Sequence, residues 1–147
     1  MQIRIASPKH FESLYGSSDI VRAYLDQIEK TVGEALNSEI IDVLRISLLI
    51  AHPEELAQGK FLEYENFDWK CRYVAVGING NFDRYHLGDD MDKISELSDM
   101  LQAAFIRISQ KKKAKFDFRT ANDIIIHTTH AFEETFKPEQ GQEDGRG

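Results

Sequence analysis

"IIDVLRISLLIA", residues 40–51, decides the fold. Its length suits a helix or a strand, and the density of branched Ile and Val favours a central strand covered on both faces. His52-Pro53 ends it, because proline has no N–H to give to a ladder. On its N-terminal side, "QIRIA" (2–6) alternates and is β-branched, which predicts a short first strand broken by Pro8. Between the two lies a helix. Ser17 or Ser18 can cap its free N–H groups, Asp19 suits its positive end, and Ile20, Tyr24, Leu25, Ile28, Val32, Ala35 and Leu36 recur at helical spacing.

On the C-terminal side, "KFLEYENFDWKCRYVAVGI" (60–78) predicts a hairpin, with strands near 60–65 and 69–78 about the turn "ENFD". Turn chemistry follows in "NGNFDRYHLGDD" (79–90), where 81–87 reads as a short strand or a loop. Met91, Ile94, Leu97, Leu101, Phe105 and Ile108 then step by threes and fours, which predicts an amphipathic helix over 90–111 closed by "KKKAK". Thr120 and Asp123 resemble a cap that opens a last helix through about 135, packing through Ile124, Ile125, Ala131 and Phe132. The order is β-α-β-β-β-α-α. The expected class is α+β: one domain over 1–136, with a mainly antiparallel sheet of about four strands against three helices. Residues 137–147, Gly-rich and charged, read as a disordered tail.

The bulk numbers exclude several functions. A formal net charge of -7 argues against a general nucleic-acid binder, which needs a basic patch, and suits a basic partner. The longest apolar run, "ISLLIA" (46–51), is far short of the ~20 residues that cross a bilayer, so no membrane role is expected. Cys71 is the single cysteine, and the first residues carry no secretory signal pattern, so a reducing, cytoplasmic setting is expected. With Trp69 and Tyr73 on its face of the predicted strand, Cys71 reads as a small buried apolar residue rather than a nucleophile.

Two clusters bear on chemistry. "HTTH" sets His127 and His130 one turn apart, with Asp123 one turn before, an arrangement that can hold zinc if His10, His52 or His86 adds a ligand. It lacks the i, i+4 histidines and the glutamate of a metalloprotease helix, so metal-dependent hydrolysis stays the alternative and no cofactor is expected. The second cluster is acidic. Asp83, Asp89, Asp90, Asp92, Glu96 and Asp99 face only Arg84 and Lys93, and calcium-loop spacing with its central Gly is absent. Carboxylates in a first helical turn offset the helix dipole, which explains Asp89, Asp90 and Asp92 but not the others. The hairpin adds Glu63, Glu65 and Asp68 among its rings, with Phe67 as a possible interface anchor.

A short strand leading into "VRAYLDQIEKTVGEALN" (21–37), apolar strands, "CRYVAVGINGNF" (71–82) and a helix with "LSDMLQAAFIRI" (97–108) together resemble the small α+β immunity proteins found beside bacterial polymorphic and contact-dependent toxins. The resemblance covers roughly residues 2–135. It implies a protein that is not an enzyme: in the cytoplasm it binds the toxic domain of a cognate toxin and blocks its active site or its access to substrate. Many such toxins are basic nucleases, so an acidic inhibitor, itself free of nucleic acid, can occupy the surface meant for phosphates. An acidic regulatory subunit of another complex is the remaining alternative.

Overall fold

The computed structural model describes residues 1–6, 19–111, 115 and 117–136. Strand β1 (Gln2–Ala6) leads into helix α1 (Asp19–Ala35), then β2 (Val43–Leu49) and a short helix α2 (Pro53–Ala57). A hairpin of β3 (Tyr64–Asp68) and β4 (Tyr73–Asn79) precedes the short α3 (Phe82–Leu87) and two long helices, α4 (Asp90–Ser109) and α5 (Phe118–Thr135). The α+β class and the four-stranded sheet stand, and the segment 40–51 supplies a central strand.

Strand direction differs from the expectation. The sheet order is β1-β2-β4-β3, and the antiparallel pairing holds only for β3–β4, whereas β1–β2 and β2–β4 run parallel. The cause is connectivity. Helix α1 carries the chain back to the end where β1 began, so β2 starts beside it in the same direction, as in any βαβ unit. The chain then passes over the sheet end through α2, lays β3 one slot away as an edge, and returns as β4 into the vacant slot beside β2. Three helices were expected and five are found among the described residues, because α2 and the 82–87 segment are single turns too short to show a period.

The long helices pack on one face only. Ile3, Ile5, Leu44, Ile46, Leu48, Val74, Val76 and Ile78 point to that side and join α1 and α4 in one core. Helix α5 lies across α1 and α4, contributing Ala121 and Ile125. In the last helix the cap is Asp117, whose Oδ1 accepts the Thr120 N–H at 3.1 Å, and Ala131 is exposed rather than packed. Thr120, in the first turn, instead donates its hydroxyl to Asp117 Oδ2 at 2.7 Å.

One polar link crosses this helical layer. Thr129 donates its hydroxyl to the Ile125 carbonyl at 2.6 Å, so the Tyr24 hydroxyl, 2.7 Å away, is the donor to Thr129 Oγ1. Burial pushes the Tyr24 phenol from its ordinary 10 up to about 12. A raised acid favours its protonated form in the fold. Its contribution is therefore complete below pH 10 and is lost as pH rises toward 12, a change of about 2 kcal/mol. Denaturant titrations of wild type and Tyr24→Phe across that range should converge as the wild type loses this increment. Parallel curves from pH 9 to 12 would show an ordinary phenol.

Candidate partner-binding surfaces

The acidic window folds into a corner where α3 meets α4, and the structure divides its members into two sets. Glu96 points inward and is only 6% exposed. Its Oε2 accepts the Asn81 N–H at 2.8 Å, and its Oε1 accepts from Arg84 Nη1 at 3.0 Å. Arg84 also reaches Asp99 Oδ2 at 2.9 Å and the Ser95 hydroxyl. The Asp99 carboxylate first, then Glu96, raises the guanidinium pKa further above its usual range. Gly80 permits the approach: a Cβ there would meet Met100 Sδ at 2.5 Å and Glu96 Oε2 at 3.1 Å. Glu96 is thus an internal fastener of the α3 loop rather than a contact residue, which corrects its assignment to the partner surface.

Asp89 and Asp92 form a reciprocal capping box at the start of α4, with Asp89 Oδ1 accepting the Asp92 N–H at 2.8 Å and Asp92 Oδ2 accepting the Asp89 N–H at 3.2 Å. Lys93 donates to the Gly88 carbonyl at 2.6 Å and lies over the Tyr85 ring, 5.5 Å from its centroid. Both cations of the window are therefore engaged. Asp83, Asp89 and Asp92 stay exposed and Asp90 half-buried, with no ion pair to a described lysine or arginine. The corner is acidic and held in place.

The hairpin acids lie elsewhere and do different work. Glu63 accepts from Arg107 Nη2 at 2.5 Å and from the Asn79 N–H at 2.9 Å, and Glu65 stands 3.8 Å from Lys111 Nζ. Phe67 stacks on Trp69 at 5.3 Å with Lys111 Nζ 5.2 Å from its ring. These residues tie the hairpin to α4, so Phe67 is a half-buried packing ring rather than an exposed anchor. The turn falls at 69–72, not at 65–68. Asp68 Oδ1 accepts the Cys71 N–H at 3.0 Å, which holds its carboxyl below the usual range and closes the turn four residues later than expected. Cys71 is consequently exposed, not buried, and Asp68 raises its thiol pKa, which opposes thiolate formation.

Asp123, His127 and His130 stand exposed on α5, and among the described residues no three His, Cys, Asp or Glu side chains are placed to share an ion. His52 caps α2, its Nδ1 accepting the Glu54 N–H at 3.2 Å, and its ring meets Phe82 edge-on at 5.1 Å. A small cavity of ≈ 240 Å³ opens at the carboxyl ends of β2 and β4, lined by Ala51, Leu56, Asn81 and Asp83 among others.

Sequence reasoning missed the other sheet face. Register sets Arg4 beside Arg45, and Arg45 beside Ala75, on the side away from the long helices. Tyr64 lies across this face above Gly77 and donates its hydroxyl to Ser47 Oγ at 2.8 Å. The period-2 alternation of 43–49 already put Arg45 and Ser47 on one side; the expectation of a strand covered on both faces hid the consequence.

Compared with known proteins, the chain matches no family model, no curated protein and no solved structure. Among the described residues no helix is long and apolar enough to cross a membrane.

Proposed function

We propose that the protein acts by binding another protein, as a cytoplasmic immunity protein that blocks the active site or substrate access of a cognate toxin domain, and not as an enzyme. The observation that carries this reading is the α3–α4 corner. Four carboxylates, the exposed Asp83, Asp89 and Asp92 and the half-buried Asp90, pair with no described lysine or arginine, while Arg84 and Lys93 are tied inward. A fixed like-charged patch raises the encounter rate with a basic partner and selects against acidic ones.

The test is co-purification of the tagged protein with the product of the neighbouring reading frame, followed by stopped-flow kinetics. A tight 1:1 complex with a protein toxic on its own is the expected result. Raising salt from about 50 to 500 mM should slow association about tenfold while dissociation changes less than about twofold. Asp83→Asn with Asp90→Asn should reproduce the slow association at low salt. No complex and no toxicity would reject the inhibitory reading, and a salt-insensitive on-rate would remove the corner from it.

A further inference from the structure

The small cavity at the carboxyl ends of β2 and β4 exists because two parallel neighbours part there. β2 leaves into α2 and β4 into α3, and a crevice opens beyond the strand ends. Its ≈ 240 Å³ is below the ~300 Å³ at which sites for whole small molecules begin, so it suits one side chain. Ala51, Pro53, Leu56 and Phe82 give it an apolar wall. The Phe82 ring is held in place, stacked on His86 at 5.2 Å and met edge-on by His52.

The sign of the site follows from its donors and acceptors. Among the described residues that line it, Asp83 is the single charged group, and its carboxylate pairs with no described lysine or arginine. An anion would find the nearby donors engaged. The Gly80 N–H donates to the Leu49 carbonyl at 3.3 Å, the Asn81 N–H to Glu96 Oε2, and the Arg84 N–H to Asn81 Oδ1 at 2.9 Å. A metal ion would find too few ligands, since no three ligating side chains converge among the described residues. A cation on an apolar stem satisfies both halves of the lining. Guanidinium fits better than ammonium, because its fork takes both oxygens of a free carboxylate and its weaker hydration eases entry into a half-apolar cleft.

We infer that this cavity seats one arginine side chain of the partner, its stem along Pro53, Leu56 and Phe82 and its guanidinium on Asp83. The inference rests on the partner-binding reading and deepens it: the exposed acids of the corner steer the encounter, and the filled cavity anchors the complex. Leu87, one turn beyond Asp83 on the same face of α3, is 78% exposed and offers the partner an apolar contact beside the anchor.

The probe is Nα-acetyl-arginine N-methylamide, titrated into the free protein and followed by NMR amide shifts. The expected result is saturable binding, with a Kd of about a few millimolar for so small a ligand, that moves the Ala51, Leu56, Gly80 and Phe82 amides. The norleucine analogue, which keeps the stem and lacks the cation, should bind about tenfold more weakly. Asp83→Asn should weaken the arginine amide about tenfold and leave the norleucine analogue unchanged, and Asp123→Asn on α5 should change neither beyond about twofold. Asp83 is exposed, so its substitution leaves the fold intact, which the amide spectrum of the free variant checks. Absence of saturable binding, equal binding of the norleucine analogue, indifference to Asp83→Asn, or tighter binding of the lysine analogue would overturn the inference. In the complex, Asp83→Asn should speed dissociation about tenfold, and an unchanged rate would overturn the anchor. The amide titration needs no toxin, so its failure strikes the cavity alone, whereas failed co-purification strikes the inhibitory reading.

Discussion

Arg84→Ala is expected to lower the unfolding free energy by about 3 kcal/mol at neutral pH. The guanidinium itself is 41% exposed, so an ordinary surface pair would contribute 1 kcal/mol or less. The difference lies in what is left behind. The Glu96 side chain is 8% exposed, and without Arg84 its carboxylate keeps one described donor, the Asn81 N–H. A buried charge that loses its partner costs several kcal/mol, and the lower part of that range applies because Arg84 opens to solvent. The cost should therefore depend on charge rather than on contact area. Arg84→Ala with Glu96→Gln should be more stable than Arg84→Ala alone, since the amide left behind is neutral. Chemical denaturation of the two single variants and the double gives the cycle. An Arg84→Ala loss below about 0.5 kcal/mol, or a double variant worse than the sum of the singles, would mean that water reaches Glu96 and that the corner is not fastened as described.

This network also shows how far the sequence was legible. Helix α4 was readable to within two residues, because its stripe of Ile94, Leu97, Leu101, Phe105 and Ile108 repeats over about four turns. The central strand was readable because branched residues crowd 43–49. The acids of the window were readable as a cluster, but not which of them point inward. Glu96 and Asp99 differ by three positions on one helix, and only the loop at Gly80, close enough to touch because it lacks a side chain, decides that Glu96 is covered. Spacing along one helix carries no information about what lies against it. Strand direction escaped for a related reason: each strand reads alike either way up, and the placement of β3 outside β4 is a property of the whole sheet. The hairpin turn slipped because Asp68 and Cys71 make a side-chain-to-backbone turn that no Asn-Gly or Asp-Gly pair advertises.

The sheet face away from the long helices supplies the second large effect. Gly77→Val is expected to destabilise the fold by about 3 kcal/mol, against the direction that local preference sets. A glycine inside a strand is intrinsically poor, and valine is among the best strand formers, so propensity alone predicts a gain of up to about 1 kcal/mol. Space decides otherwise. A Cβ at 77 would run into Tyr64 Cε1, lie 2.5 Å from Tyr64 Cδ1 and 2.8 Å from Leu49 Cδ1, and valine adds two methyl groups beyond it. Tyr64 must then lift from the sheet and release its 2.8 Å hydrogen bond to Ser47, a residue that is 5% exposed, and Leu49 must repack. Overpacking costs ~1–3 kcal/mol, and the stranded hydroxyl brings the sum to the upper end of that range. Tyr64→Ala is the discriminating partner. If the ring is the obstacle, Gly77→Val costs much less in the Tyr64→Ala background, where the local strand preference is free to act. If the loss is the same in both backgrounds, the obstacle is Leu49 and the backbone, and the ring does not bear on Gly77.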